Sequence, residues 1–191
     1  MRTEPSTTIE QLSDAFVAVQ ALLDELAPEQ FLLPTPCTEW DVRELVAHLV
    51  GMNLVFTALL TGQTPPSRDA EVLGHDPSLA FRTSADALLK SFERPAVLEQ
   101  SFHTPLGSAT GQERLEIRMY DLLAHAWDLS QATGVELANL DELAEHSLDY
   151  VQAQLSRQSR TGRFAQPQPI SEQSRALDRL AAFLGRKVCV E

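Results

Sequence analysis

The chain has 191 residues, of which 43% are hydrophobic and 22% are charged, a composition typical of a folded globular domain. Its formal net charge of −12 argues against binding nucleic acid through a basic surface and against docking on an anionic membrane. Only two cysteines are present, Cys37 and Cys189, which make neither a disulfide framework nor a Cys-x-x-Cys metal knuckle, so a reducing cytoplasm fits best.

No leader or membrane segment is predicted. The N-terminal residues are polar and lack the apolar core of a signal peptide. No stretch approaches the roughly 18 apolar residues of a membrane span. We therefore expect a single cytoplasmic domain comprising residues 1–191, which is long enough to bury its own core.

Capping patterns predict where the helices begin. Four helix starts are indicated by a capping residue followed three positions later by an acid: Thr7 with Glu10, Thr38 with Asp41, Thr110 with Glu113, and Asn139 with Glu142. Another start is predicted where Asp76 precedes a proline. Together with apolar residues at three- and four-residue spacing, these signals predict helices over about 8–26, 38–61, 77–94, 111–133, 140–157 and 172–184.

Two segments lack a helical pattern. Residues 97–111 form either a short hairpin or an irregular excursion. Residues 157–171 are rich in Arg, Gln and Pro and form a long loop, which is either a surface connector or a functional cover. Because long helices dominate and strand patterns are almost absent, the sequence predicts an all-α bundle.

One helical stretch, MYDLLAHAWDL over residues 119–129, places ionisable groups in an apolar setting. Asp121 and His125 are four residues apart and therefore project from the same face of the helix. A bundle would bury that face, so these groups need a partner. A divalent metal is one interpretation, and an ordinary buried hydrogen-bonded pair is the other.

A third candidate ligand, His48, lies in the apolar stripe of the second predicted helix. Bundles commonly build metal sites from side chains on facing helices. Two imidazoles and one carboxylate suit zinc or another late divalent metal such as nickel, and three protein ligands leave one coordination position open. A metal-free protein, whose histidines are only polar groups in the core, is the alternative.

Two sequence blocks resemble the DinB-like metal-binding superfamily, in its actinobacterial branch related to the N-terminal domain of mycothiol-dependent maleylpyruvate isomerase. The blocks are TPCTEWDVRELVAHLVG at residues 35–51 and HAWDL at residues 125–129, and the likeness continues into ALDRLAAFLGR at residues 176–186. The resemblance implies a four-helix bundle that holds zinc or nickel through His48, Asp121 and His125. The acid in that branch is usually Glu, so the shorter Asp121 is expected to ligate directly or through water.

The resemblance also implies a class of chemistry without naming a substrate. A bound metal would activate a thiol such as mycothiol in a transferase or isomerase. Arg118 is predicted to bind a substrate carboxylate or else to form a salt bridge. Arg160, Arg163 and Phe164 of the long loop are predicted to cover the site, and Arg163 and Phe164 to bind the substrate. The rival function is a non-catalytic metal-binding or interaction module. The expected partner is a small molecule, and a homodimer is compatible with the bundle.

Overall fold

Six α-helices and one β-hairpin make up the described part of the chain in this computed structural model, which covers residues 6–38, 40–104, 107–157, 159–160 and 164–188. The helices are α1 (Ile9–Asp24), α2 (Val42–Thr61), α3 (Pro77–Phe92), α4 (Gly111–Thr133), α5 (Asp141–Leu155) and α6 (Ala176–Phe183). Strands β1 (Ser101–Thr104) and β2 (Gly107–Thr110) form an antiparallel hairpin. A short 3-10 helix (Pro28–Leu32) follows α1. The prediction of an all-α bundle with one hairpin excursion is therefore confirmed.

The helix starts differ from the prediction in detail. The prediction for α4 is confirmed, since the Thr110 hydroxyl accepts a hydrogen bond from a backbone N–H of the first turn. The cap of α1 is Thr8 rather than Thr7, and the cap of α2 is Asp41 rather than Thr38. Each true cap accepts from the N–H three residues on, while a Gln or Glu at that position reaches back to the cap.

The predicted Asn139 capping box of α5 is wrong. Leu140 occupies the cap position and makes no side-chain cap. The side chain of Asn139 instead accepts a hydrogen bond from the backbone N–H of Asp141 at 3.1 Å, a local turn that precedes the helix. The last helix is also shorter than predicted, because residues 172–175 form a turn before α6 begins.

Four long helices form the bundle. Helix α1 packs on α3 and α4, and α2 also packs on α3 and α4, so the four close into a ring. Helices α5 and α6 pack on each other and on the outer side of α4. Helix α4 is consequently surrounded, and every residue from Leu122 to Leu129 is buried.

The expectation that no stretch approaches a membrane span is wrong for α2, which has the length and apolar composition of a membrane-spanning helix. In this structure it lies within the bundle, and its apolar side chains contribute to the core beside α3 and α4. Such packing is typical of the core helix of a soluble protein.

Candidate metal centre

The three predicted ligands meet between α2 and α4. The Nε2 atom of His48 lies 3.6 Å from Oδ1 of Asp121, and the Nε2 atom of His125 lies 3.7 Å from the same oxygen. One ligand atom from each side chain lies within 4.8 Å of the other two. Donors bound about 2.0 to 2.2 Å from a common ion stand roughly 3 to 4 Å apart, so the separations suit a metal. They are too long for hydrogen bonds.

The environment of His48 tests whether a metal fits these residues. Its Nε2 atom is buried and has no hydrogen-bond partner among the described residues. A buried polar atom without a partner costs about 1 to 3 kcal/mol, which a metal bond would offset. The donor set thus fits a divalent ion better than it fits a metal-free hydrogen-bonded pair.

The side chain of His125 is oriented by Asp128. Its Nδ1 atom lies 2.9 Å from Oδ2 of Asp128, and a carboxylate only accepts, so Nδ1 carries the proton. In the neutral ring Nε2 then presents its lone pair toward Asp121. Arg186 in turn donates to both oxygens of Asp128, at 3.2 and 2.8 Å.

The charge of Asp128 is maintained by these contacts. Burial alone would raise the pKa of its carboxyl, but the hydrogen bonds from His125 and Arg186 and the positive charge of Arg186 outweigh burial and lower it. The group that orients His125 is therefore an ionised carboxylate at neutral pH.

The two carboxylate oxygens of Asp121 have different neighbours. Its Oδ2 atom accepts from Nη1 of Arg118 at 2.8 Å, while Oδ1 faces the two histidines. Burial works to raise the pKa of this carboxyl, but His48, His125 and Arg118 together hold it well below its ordinary value. Although Asp is one methylene shorter than Glu, its oxygen still lies among the other two donors.

Arg118 lies deep in the bundle, where its side chain is fully buried. Besides its bond to Asp121, it donates from Nε to Oδ1 of Asn53 at 2.9 Å and from Nη2 to the carbonyl of Leu49 at 3.4 Å. Asn53 then donates to Ser84 on α3. In this structure the guanidinium of Arg118 pairs with Asp121, which is the salt bridge predicted as the alternative. Binding of a substrate carboxylate by Arg118 stays a prediction.

Trp40 forms an aromatic wall beside the centre. Its ring centroid lies 4.6 Å from that of His48 and 5.8 Å from that of His125. The two histidine rings are 4.8 Å apart and nearly perpendicular. Trp40 is half-buried, and its ring covers the two histidines on one side.

A cleft of about 830 Å³ reaches the centre at Asp121. Its walls come from α2, the hairpin, α4 and α5, and they are mostly apolar. Two aromatic residues, Tyr120 and Phe164, lie in the cleft with ring centroids 6.2 Å apart. A small molecule in this cleft would therefore lie next to one of the three candidate ligands.

The two other predicted substrate-binding residues have different outcomes. Phe164 lines the cleft, which is compatible with its predicted role. Arg163 lies outside the described residues. Its loop neighbour Arg160 turns toward α6, where its guanidinium lies 4.6 Å from the ring centroid of Phe183, and it donates to the Ala165 carbonyl at 2.7 Å.

Several contacts around the candidate centre are not predicted by sequence spacing. Arg186 is 58 residues from Asp128, and Asn53 is 65 residues from Arg118. Neither spacing is a motif, so only the folded chain shows that these residues support the ligands. His146 is half-buried, and its Nε2 atom lies 3.0 Å from a carboxylate oxygen of the buried Glu116.

A family model for the mycothiol maleylpyruvate isomerase N-terminal domain matches residues 12–130. The chain belongs to this family. The match spans α2 and nearly all of α4, and so includes all three residues of the candidate centre. The predicted kinship is thereby confirmed.

The chain is also similar to uncharacterized proteins of Mycobacterium tuberculosis from strains CDC 1551 / Oshkosh and ATCC 25618 / H37Rv. Each is 36% identical over 190 residues, covering 97% of this chain and 99% of the relative. The likeness therefore extends beyond the family match, through α5 and α6. No solved structure matches the chain.

Proposed function

We propose that this protein is a metal-dependent enzyme that uses a low-molecular-weight thiol, such as mycothiol, in a transfer or isomerisation reaction. The observation that carries the proposal is the buried Nε2 atom of His48, which has no hydrogen-bond partner in the described part of the chain and lies 3.6 Å from Asp121, a residue that lines a large apolar cleft. The family description supplies the link to mycothiol. The reducing cytoplasm in which such a thiol persists is the proposed location.

The residues that would hold the metal are His48, Asp121 and His125. Among the described residues, no fourth His, Cys, Asp or Glu joins this group. A site with three protein ligands retains an open position, which distinguishes catalytic from structural sites. This feature favours an enzyme over the alternative of a closed, non-catalytic metal-binding module.

A bound zinc or nickel ion supplies Lewis acidity, which lowers the pKa of a thiol or water at the open position. The protein's own residues prepare the site. Arg118 holds Asp121 ionised, and Asp128 holds His125 in the tautomer whose Nε2 atom is free to bind. The apolar walls of the cleft exclude water from the reacting groups.

The chemistry proposed for the cleft is addition of a thiol to the conjugated double bond of an unsaturated carbonyl compound. The sulfur–carbon bond forms as the carbon–carbon π bond breaks, and the thiol proton passes to the neighbouring carbon or to the carbonyl oxygen. In a transfer the new sulfur–carbon bond persists in the product. In an isomerisation the same bond forms and later breaks, and the thiol is regenerated. The cleft volume accommodates a small molecule beside Asp121 in either case.

Metal content of the untagged protein tests the proposal first. We expect close to one equivalent of zinc or nickel by elemental analysis, and loss of that metal in His48→Ala and His125→Ala. His75→Ala, which changes an exposed histidine in the loop before α3, is the matched control and should retain the metal. Wild-type protein that is folded but takes up no metal, even after reconstitution, would contradict the proposal.

Activity is then measured as consumption of a thiol in the presence of unsaturated carbonyl compounds, together with product analysis for isomerisation. Metal-loaded wild type should exceed both the uncatalysed rate and the His48→Ala rate. One firmly bound metal with no thiol chemistry toward any tested electrophile would favour the non-catalytic module.

A further inference from the structure

Three charged side chains on α4 line the cleft, and two of them are carboxylates that already have partners. Glu113 accepts a hydrogen bond from the backbone N–H of Thr110 at 2.7 Å, as part of the cap of α4. Asp121 forms its ion pair with Arg118 at 2.8 Å. The third charged side chain, Arg114, has a different environment.

Arg114 is a buried cation without an acidic partner. Its side chain is only 9% exposed, and no ion pair joins it to any described residue. From Nη2 it donates to the carbonyls of Phe102 and Gly107 in the hairpin, at 3.1 and 3.2 Å. Its Nε atom is buried and has no hydrogen-bond partner in the described part of the chain.

Such a cation is costly unless an anion joins it. Desolvation lowers the pKa of the Arg114 guanidinium, and the nearby charge of Glu113 offsets this only in part. Guanidinium groups bind carboxylates with two parallel hydrogen bonds, and such pairs are strongest where water is excluded. The cleft therefore has on one wall a cation that forms no ion pair with any described residue, since the two carboxylates of α4 have other partners.

The position of Arg114 defines the length of a ligand. Arg114 and Asp121 are seven residues apart on α4, which is about two turns or roughly 10 Å along the helix axis. Ile117 and Tyr120 lie between them and line the same cleft. The opposite wall is apolar, with Val55, Phe56 and Leu59 of α2.

We propose that the cleft binds an elongated, mostly apolar carboxylate, whose anionic end pairs with Arg114 and whose other end lies at the metal centre. Only the placement of the ligand's second end at the metal centre rests on the proposed function; the pairing of its carboxylate with Arg114 does not. It transfers the recognition of a substrate carboxylate from Arg118, which is occupied by Asp121, to Arg114, which lies about one turn nearer the start of α4.

Tyr150 is a further group near Arg114. It lines the cleft, and its pKa is raised by burial and by the charges of Glu113 and Glu116, with a smaller opposing effect from Arg114. Its hydroxyl is therefore protonated at neutral pH and is a neutral donor rather than a competing anion. The charges of Glu113 and Glu116 disfavour an added anion at this end of the cleft, so the binding of a carboxylate there depends on Arg114.

Equilibrium binding of a matched pair of probes tests the proposal. The probes are naphthylhexanoate and its primary amide, which share size and apolar area but differ in charge. Binding to the full-length protein is followed by probe fluorescence and checked by calorimetry. We expect wild type to bind the acid about tenfold more tightly than the amide, as hydrogen bonds to a charged group predict.

Variants identify the group responsible for this preference. In Arg114→Gln the acid and the amide should bind within about twofold of each other. Because both probes are compared on the same variant, a general distortion of the hairpin does not change the ratio. Arg82→Gln, which alters an arginine in an exposed ion pair on α3, is the matched control and should keep the tenfold preference.

His48→Ala separates this proposal from the proposed function. It removes a metal ligand but leaves Arg114, so the preference for the acid should persist. If the wild type binds no metal but still prefers the acid to the amide, the proposed function fails and the assignment of Arg114 stands. Equal binding of acid and amide to wild type, failure of both to bind, or a preference retained in Arg114→Gln would each overturn the assignment.

Discussion

At the scale of single residues, each of two candidate ligands has one polar atom held by the protein and one directed at the centre. Nδ1 of His125 donates to Asp128, and its Nε2 atom faces the centre. Oδ2 of Asp121 accepts from Arg118, and its Oδ1 atom faces the centre. A ligand held in this way loses little conformational freedom when a metal binds. The supporting residues should therefore matter nearly as much as the ligands.

Replacing Asp128 with Asn tests the support of His125. The amide is nearly the same size as the carboxylate but lacks the negative charge to which both Arg186 and His125 are hydrogen-bonded. We expect metal affinity to fall about 10- to 100-fold, as is typical when such an orienting group is lost. Competition with a chromophoric chelator measures the affinity. Asp149→Asn, at an exposed position of α5, should leave it unchanged, and an unchanged affinity in Asp128→Asn would refute the orienting role.

At the scale of elements, a buried glutamate joins three segments of the chain. Glu116 of α4 is 4% exposed and accepts hydrogen bonds from the backbone N–H and the hydroxyl of Thr7, at 2.8 and 2.6 Å. Nε2 of His146 on α5 lies 3.0 Å from the same carboxylate. This use of Thr7 explains why Thr8 caps α1 in its place.

The Glu116 cluster predicts how stability depends on pH. Burial raises the pKa of Glu116, but the hydrogen bonds from His146 and Thr7 outweigh it, and the folded pKa lies below the ordinary value of 4.5. The unfolded chain therefore binds more protons in acid, so this stabilisation is complete above about pH 5 and is lost as pH falls further.

Thermal unfolding of Glu116→Gln followed by circular dichroism checks this prediction. At pH 7 the variant should be about 1 to 3 kcal/mol less stable than wild type, because a buried charged acceptor is lost. The difference should shrink as pH falls below 4.5. Glu142→Gln, at an exposed position of α5, should follow the wild-type pH profile. A difference in stability between Glu116→Gln and wild type that stays constant from pH 7 to well below pH 4.5 would contradict the predicted dependence on the ionisation of Glu116.

Close backbone packing joins the hairpin region to α4 at Gly111. A Cβ atom at this position would lie 2.0 Å from the carbonyl oxygen of Val97 and 2.9 Å from the Cα of Leu98, so the backbone would have to move. We expect Gly111→Ala to destabilise the protein by about 1 to 3 kcal/mol, which is typical of overpacking.

A second glycine provides the matched comparison. Gly51 lies inside α2, and a Cβ atom there would meet nothing within 4 Å. Gly51→Ala should stabilise the protein by about 0.5 to 1 kcal/mol, because alanine favours the helix. Denaturant titration measures both variants. Opposite signs are expected from the same chemical change, and stabilisation by Gly111→Ala would disprove the close contact.

At the scale of the whole molecule, the centre links two helices whose ligands are separated by 73 positions. A metal that binds only the folded arrangement must stabilise the fold. With free metal at a hundredfold excess over Kd, the gain is about 2.7 kcal/mol, which raises Tm by roughly 5 to 10 °C. Calorimetry of chelator-treated protein with and without zinc measures the shift. His48→Ala should lose it and His75→Ala should keep it, whereas equal shifts in both variants would place the metal elsewhere.

The sequence by itself determined the helices and the three candidate ligands. Helical periodicity and the glycines at 62 and 134, which end α2 and α4 in left-handed conformation, depend on interactions within a few residues. The pairing of Asp121 with His125 depends on the same local geometry. His48 is a candidate partner because it lies in the apolar stripe of another helix, and the resemblance to a known family implies the same ligand.

Only the tertiary structure decided what surrounds those ligands. The contact of Arg186 with Asp128, the occupation of Arg118 by Asp121, and the isolation of Arg114 in the cleft all join elements that are distant in sequence or depend on how they pack. Local spacing carries no information about such contacts, because burial and charge pairing are set by the packing of α4 against its neighbours. For the same reason, sequence patterns placed the α1 cap at Thr7, whose hydrogen bonds go to Glu116 across the bundle.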